Sequence, residues 1–254
     1  MLILQLTDFH VAPGDILVGG IDTRIKFART LASVARLDPQ PDLIVVTGDL
    51  ADSGTDEEYA VLAAGLRGLG LPFVVVPGNH DLREPLRRAF PEETGREAGH
   101  LAFQRHFGGI LVIGLDTLME GQAHGALSEE QLDWLETVVG GTDAVPTLIV
   151  MHHPPCPTGI PSMDAIGLEK GGDRLAALLG SRSNVVGILC GHVHRPIFAR
   201  FAHLPVMIAP SASYQFELDF ERAGRFEIVQ EPPQFVLHRV CKRRGTITTY
   251  LTAA

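Results

Sequence analysis

The side chains that could do chemistry fall in five short clusters: Asp8-x-His10, Gly48-Asp49, Gly78-Asn79-His80-Asp81, His152-His153-Pro154-Pro155 and Gly191-His192-x-His194. These clusters hold six of the chain's eleven histidines. Imidazole, carboxylate and amide-oxygen donors with no sulfur among them suit Zn, Mn, Fe or Co in a site that keeps open coordination positions. Asp49 is the only charge at the tip of its cluster. Its carboxylate can bridge two cations roughly 3.5–4 Å apart, the separation used for in-line displacement at phosphorus, or it can cap the next segment of chain. Asp8 and His10, like His192 and His194, are spaced so that extended chain would put both side chains on one side of the backbone. Of the adjacent pair His152 and His153, one can face a metal while the other faces a substrate or the core.

Each cluster comes directly after an apolar run, at 2–6, 43–46, 73–76, 147–151 and 185–190, that reads as a buried parallel strand. Pro77-Gly78 turns the chain sharply after the third run, and Pro154-Pro155 forces an extended exit after the fourth. In an open α/β sheet, ligands sit beyond the carboxyl ends of the strands, where these clusters lie. Between the strands the pattern predicts helices. One starts near Asp22 with Ile21, Ile25, Ala28, Ala32 and Ala35 as its core stripe. Capping boxes at Thr55–Glu58 and Ser128–Gln131 open two more, with Leu62, Leu66 and Leu69, and Leu132, Leu135 and Val139, on their buried faces. A further helix covers about 173–179. Residues 82–100 read as a short helix and a solvated surface excursion that includes Arg83, and Gly108-Gly109 marks a two-residue hairpin. Asp116 reads as structural and His124 as a solvent histidine. Short strand candidates at 198–201, 206–209, 226–229, 235–240 and 246–251 are assigned to the distal sheet of a two-sheet sandwich plus a C-terminal hairpin. Phe235, Val236, Leu237 and Val240 there are expected to be left uncovered by so small a sheet, which predicts a homo-oligomer, most simply a dimer.

With 254 residues the chain can bury one large core, and no independent second domain is expected. Residues 1–221 are predicted to form the catalytic domain and 222–254 the hairpin extension packed on it. The net charge of -9 argues against a partner as polyanionic as long nucleic acid. Cys156, Cys190 and Cys241 have no Cys-x-x-Cys spacing, which disfavours a thiolate metal site or a disulfide framework and fits a reducing compartment. No apolar run approaches the roughly 18 residues of a membrane helix, so no membrane partner is expected and the predicted location is the cytoplasm.

The ordered set of five clusters resembles the calcineurin-like metallophosphoesterase superfamily over residues 8–194, with no ligand type missing. Within it, Leu17-Val18-Gly19-Gly20-Ile21-Asp22 and Met151-His152-His153-Pro154-Pro155 with Met163-Asp164 further on resemble the class III cyclic nucleotide phosphodiesterases and the bacterial glycerophosphodiesterases. The resemblance implies a four-layer αββα sandwich of two mixed sheets. It implies two divalent or trivalent transition-metal ions (Fe, Mn, Zn or Co), one held by Asp8, His10, Asp49 and His194, the other by Asp49, Asn79, His152 and His192. Asn79 would also orient substrate, and His80 would protonate the departing alkoxide after attack by a metal-bound hydroxide. His153 and Tyr214 are the candidate substrate contacts. Tyr214 stands where glycerophosphodiesterases of this group carry a histidine, and a tyrosine is not cationic near pH 7. The expected reaction is hydrolysis of a small phosphodiester. A phosphomonoesterase would need cationic contacts, for which Arg195 is the one obvious candidate; a nuclease or a non-catalytic scaffold on the same fold completes the alternatives.

Overall fold

The computed structural model describes residues 1–141 and 145–253. The first half alternates strand and helix: β1 (Leu2–Leu6), α1 (Thr23–Val34), β2 (Leu43–Val46), α2 (Asp56–Gly68), β3 (Phe73–Val75) and α3 (Arg83–Ala89). The hairpin of β4 (Phe103–Phe107) and β5 (Ile110–Gly114) is next, turning through Gly108 and Gly109, both at positive φ as a tight two-residue connection requires. Then come β6 (Gly125–Ala126), α4 (Glu129–Gly140), β7 (Thr147–Val150), α5 (Pro161–Asp164), β8 (Leu168–Lys170), α6 (Gly172–Leu179), β9 (Val185–Cys190), β10 (Ile197–Phe201) and β11 (Leu204–Ile208). The chain closes with β12 (Gln215–Phe216), β13 (Ile228–Val229), β14 (Gln234–Cys241) and β15 (Thr246–Ala253).

The strands build two mixed sheets, ordered β15-β14-β1-β2-β3 and β10-β11-β9-β7-β5-β4. β1, β2 and β3 run parallel, as do β5, β7, β9 and β11, so their carboxyl ends point the same way within each sheet. Three apolar clusters separate four layers. Leu4, Leu6 and Ile44 of the first sheet pack against Phe27, Leu62 and Leu86 of α1, α2 and α3. Ile3, Val45 and Val74 face Val112, Val150 and Leu189 across the gap between the sheets. Ile149 and Ile188 face Leu135 of α4 and Leu175 of α6. Among the described residues no helix is long and apolar enough to cross a membrane.

Three local expectations need correction. The buried face of α1 is Thr23, Phe27, Thr30 and Val34, while Ile25 is half exposed and Ala28, Ala32 and Ala35 face solvent. The helix turns to seat Phe27 edge-on against Phe9 (centroids 4.9 Å apart), because one large aromatic buries more apolar area than several alanines. Ser128 caps α4 through the Gln131 N–H, but the Gln131 side chain completes no box; its amide bonds the backbone N–H and C=O of Asp116 instead. The C-terminal hairpin joins the first sheet, with β14 antiparallel to β1 (Leu2 opposite Arg239, Gln5 opposite Val236). Phe235, Val236 and Val240 are therefore buried, and the apolar side chains left outside belong to the edge strand, Tyr250 and Leu251.

Arg83 does not belong to a solvated face. Its guanidinium forks onto the fully buried Asp116 carboxylate (2.7 and 3.1 Å), which also accepts the backbone N–H groups of Leu101 and Leu118, each at 3.0 Å. Burial raises the Asp116 pKa, but hydrogen bonds from His100 and Arg83 outweigh it and hold the carboxyl below its usual range. Asp116→Ala leaves Arg83 and two buried N–H groups without their acceptor and should destabilise the protein by about 3 kcal/mol in chemical denaturation. Because the folded pKa is the depressed one, this contribution is complete above the unfolded pKa near 4 and is lost as pH falls through the folded value. The gap between wild type and Asp116→Ala should therefore narrow in acid below about pH 4.

Candidate metal centre

The five clusters meet where the carboxyl ends of β1, β2, β3, β7 and β9 converge between the two sheets. Their backbone is not the extended chain expected from the two-residue spacings. Asp8, His10, Asp49, His192 and His194 all lie in the left-handed region, with φ of 52°, 46°, 48°, 73° and 60°. Such a residue costs of order 1 kcal/mol and persists only where its surroundings fix it. Here the fixing bonds are visible: Asp8 N–H donates to Gly48 O (3.0 Å), His10 N–H to Asp49 O (3.1 Å), and His192 N–H to both oxygens of the Asp8 carboxylate (3.2 Å each). From the far side, Ser211 and Ser213 hydroxyls donate to the carbonyls of Asp8 (2.8 Å) and Phe9 (2.5 Å). Two glycines allow the loops to touch. A Cβ on Gly78 would sit 2.2 Å from Asp49 Oδ1, and one on Gly191 would sit 2.1 Å from Thr7 Oγ1.

The outward ring nitrogens of three histidines are held by backbone carbonyls: His152 Nδ1–H by Thr47 O (2.7 Å), His192 Nε2–H by Ile166 O (3.0 Å) and His194 Nδ1–H by Tyr214 O (2.9 Å). Each ring therefore turns a lone pair inward, the usual way a protein presents histidine to a metal. Those lone pairs meet other acceptors. His152 Nε2 is 3.4 Å from Asp49 Oδ2 and 3.2 Å from Asn79 Oδ1; His192 Nδ1 is 3.0 Å from Asn79 Oδ1; His10 Nε2 is 3.0 Å from His194 Nε2 and 3.6 Å from Asp49 Oδ2. An acceptor-rich, buried set of this kind needs cations between its members, and the residues fit the two ions that the sequence implied. Asp8, His10, Asp49 and His194 offer ligand atoms that all lie within 4.8 Å of one another.

The electrostatics carry the same excess of negative charge. Burial lifts the Asp8 carboxyl to about 7, with repulsion from Asp49 adding to it and the charge of His152 opposing. Burial also acts to raise Asp49, but His152, His80 and His10 outweigh it and hold that carboxyl well below its usual value. Burial lowers His152, yet Asp49 and Asp8 overcome it and bring the imidazole up to about 9, so that without a metal ion its inward Nε2 takes up a proton toward Asp49 and must give it up to act as a ligand. Burial and the His152 charge push His192 down to about 3, leaving a neutral ring with its lone pair available.

A cavity of about 230 Å³ opens on this cluster, lined on one side by His10, Asp49, Asn79, His80, His192 and His194. Met163, Ile166, Tyr214, Phe216 and Phe226 form its apolar wall. The Tyr214 ring lies 4.7 Å from that of His194, and burial, with the nearby carboxylates adding to it, pushes its hydroxyl pKa upward so that it stays protonated. His153 does not line the cavity. It is fully buried, with Nδ1 against Thr117 Oγ1 (2.7 Å) and Nε2 against Ala123 O (3.1 Å), so the expected substrate contact is corrected to a core histidine. Arg195 is engaged by Phe216 O (2.5 Å) and Glu231 (2.6 Å). His124 pairs with Glu169 at 2.8 Å at the surface.

Two residues have site roles that their sequence context does not announce. Asp52 lies 3.6 Å from His10 Nδ1 and 4.0 Å from His80 Nδ1, and its carbonyl accepts from His80 Nδ1–H at 2.9 Å. Its one signal is that of an acid three residues beyond Asp49. Asp81 folds back from its cluster to accept from the N–H groups of Gly78 (2.9 Å), Leu50 (3.3 Å) and Ala51 (3.2 Å) and from the Tyr59 hydroxyl (2.9 Å), tying the β2 and β3 loops together.

The sequence profile described as calcineurin-like phosphoesterase matches residues 1–196. The chain belongs to that family. A protein of Arcobacter nitrofigilis named "Probable glycerophosphodiester phosphodiesterase GpdQ" is 37% identical over 255 residues, covering 99% of this chain and 93% of that one. The Haemophilus influenzae protein named 3',5'-cyclic adenosine monophosphate phosphodiesterase CpdA is 31% identical over 218 residues, 85% of this chain and 78% of its own. Among solved structures, a dimetal phosphatase from Danio rerio superposes with a TM-score of 0.68 at 15% identity over 93% of this chain and 91% of that one, a likeness of fold. For this phosphoesterase, Asp49→Asn should fold yet lose most of its bound metal, because the Asp49 carboxylate approaches both histidine groups, His10 and His152. Elemental analysis after dialysis checks it: two retained ions in the variant would exclude a bridging role.

Proposed function

We propose that this phosphoesterase hydrolyses small phosphodiesters, cyclic nucleotides or glycerophosphodiesters, with two transition-metal ions drawn from Fe, Mn, Zn or Co. One would be held by Asp8, His10, Asp49 and His194, the other by Asp49, Asn79, His152 and His192. The observation that carries this reading is the acceptor-rich cluster around Asp49 opening on a cavity whose described lining has no lysine or arginine. The ions would neutralise phosphoryl oxygens and activate water for in-line attack. A diester brings one negative charge, a monoester near neutral pH close to two. With Arg195 committed to Phe216 and Glu231, no lysine or arginine in that lining would meet the second charge, which favours the diester. The apolar wall of Met163, Ile166, Phe216 and Phe226 suits the organic part of such an ester. The names of the two relatives point to the same substrate class.

His80 would handle the leaving group. Its backbone N–H is fixed by Asp49 Oδ1 at 2.8 Å, its ring stands edge-on to His10 at 4.5 Å, and its side chain is 42% exposed toward the cavity. Burial lowers its pKa, but Asp49 and the carbonyl and carboxylate of Asp52 more than offset that, so the net shift is upward and favours the protonated ring. With Nδ1–H held by Asp52 O, the Nε2–H can pass to the departing alkoxide, leaving a neutral imidazole of one tautomer.

Proton donation is typically worth about 10² to 10⁴ in rate, and an alkoxide needs it where a nitrophenolate does not. His80→Ala should therefore slow hydrolysis of an alkyl or cyclic diester by at least about 10² while changing bis-p-nitrophenyl phosphate hydrolysis only a few-fold. Parallel kinetics on both substrates, with metal content measured on the same preparations, provide the check. Equal losses on the two esters would assign the proton to another donor.

A further inference from the structure

Among the described residues, the apolar cluster between the sheets is joined on the side of the metal centre by a polar side chain of β1. There Gln5, fully buried on β1, points across the gap. Its side-chain N–H groups donate to Cys190 O (2.8 Å) at the end of β9 and to Thr47 Oγ1 (3.2 Å) just past β2. Its Oε1 accepts from His238 Nε2–H at 2.9 Å, and His238 Nδ1 lies 2.9 Å from Thr249 Oγ1, whose one hydroxyl hydrogen faces both that nitrogen and Met207 Sδ at 2.7 Å. The Thr47 hydroxyl, having accepted from Gln5, can donate on to Leu6 O at 3.4 Å. With His238 protonated at Nε2 alone, each bond from Thr47 and Cys190 through Gln5 to His238 has a donor facing an acceptor. Turning the Gln5 amide over would set its carbonyl against that of Cys190, so the orientation is fixed. A buried polar chain is tolerated when every member is satisfied, and it then holds its anchors in one arrangement.

Both anchors adjoin the metal centre. Cys190 precedes Gly191-His192, and Thr47 precedes Gly48-Asp49 while its carbonyl holds His152 Nδ1–H. Gln5 therefore bridges the two sheets two residues behind a ligand-type side chain on each, Asp49 and His192. His238 and Thr249 come from β14 and β15, beyond the 1–196 stretch that matches the family profile.

We propose that Gln5, oriented by His238 from the C-terminal hairpin, is a positioning residue that sets the spacing between the two halves of the metal centre and so its affinity for the ion pair. The inference rests on the proposed metal function. Groups that orient ligands from behind typically change metal affinity by about 10–100-fold. Gln5→Met keeps the side-chain length while removing the bridge. In equilibrium dialysis and calorimetry with Mn²⁺ it should raise the Kd by about tenfold. Its activity at saturating Mn²⁺ should stay within a few-fold of wild type.

Ile3→Val, which trims the same layer without touching the polar chain, should lower thermal stability but leave the Mn²⁺ Kd where it was. Thr249→Val, at the half-exposed outer end of the chain, should shift the Kd in the same direction by a smaller factor and stands in if Gln5→Met does not fold. The two failures are distinguishable. A wild-type chain that binds no Mn²⁺ overturns the metal reading itself and this inference with it. If wild type binds and the Gln5→Met or Thr249→Val Kd is unchanged, or if Ile3→Val shifts it equally, the positioning role alone is overturned.

Discussion

Asp49 puts a carboxylate where two sheets meet, and both of its oxygens are spoken for. Oδ1 takes the His80 N–H, while Oδ2 faces His152 from one sheet and His10 from the other. A buried carboxylate surrounded by imidazoles is a costly arrangement, stabilised only when positive charge lies between them. The lack of side chains at Gly48, Gly78 and Gly191, the left-handed turns at five ligand-type residues, and the carbonyls that fix three imidazole tautomers are all consequences of bringing those groups so close. The fold supplies the rest: parallel strands end together, and each delivers its loop to the same plane.

That plan was legible in the sequence because it is written locally. An apolar run with Asp, Asn or His directly after it needs no knowledge of partners, and the strands and caps it predicts are where the structure puts them. What failed was decided by distant partners. The face of α1 was set by Phe9, and the Gln131 amide was drawn off by Asp116. Arg83 found the same carboxylate, and the pairing of β14 with β1 joins residues more than two hundred positions apart. Asp and His are enriched in the left-handed region, but residue type alone does not say which of them adopts it; at Asp8 and His194 that is decided by hydrogen bonds that repay the strain. His153 shows the complementary limit. Its neighbour His152 is identical in type, and only the position of Thr117 and Ala123 separates core histidine from site histidine.

The cavity joins two unlike surfaces. Its floor is polar and made by the loops of the family domain, and part of its wall is aromatic and made by residues 214–226, outside the stretch the family profile covers. The polar and the aromatic lining thus come from different parts of the chain. The floor has little freedom to vary, since a single added methyl group at Gly78 would collide with Asp49. Phe226, 43% exposed, faces no such restriction.

β1 carries Asp8 and lies inside its sheet, with β2 on one side and β14 on the other. β1 is therefore bordered by one strand made soon after it and by another whose residues follow more than two hundred positions later. Until residues 234–241 emerge, the edge of β1 that bears Gln5 opposite Val236 has no strand to bond it, and Asp8 hangs from a strand paired on one side only. Vectorial synthesis thus postpones the finished sheet, and with it a fully braced Asp8, until β14 has been made.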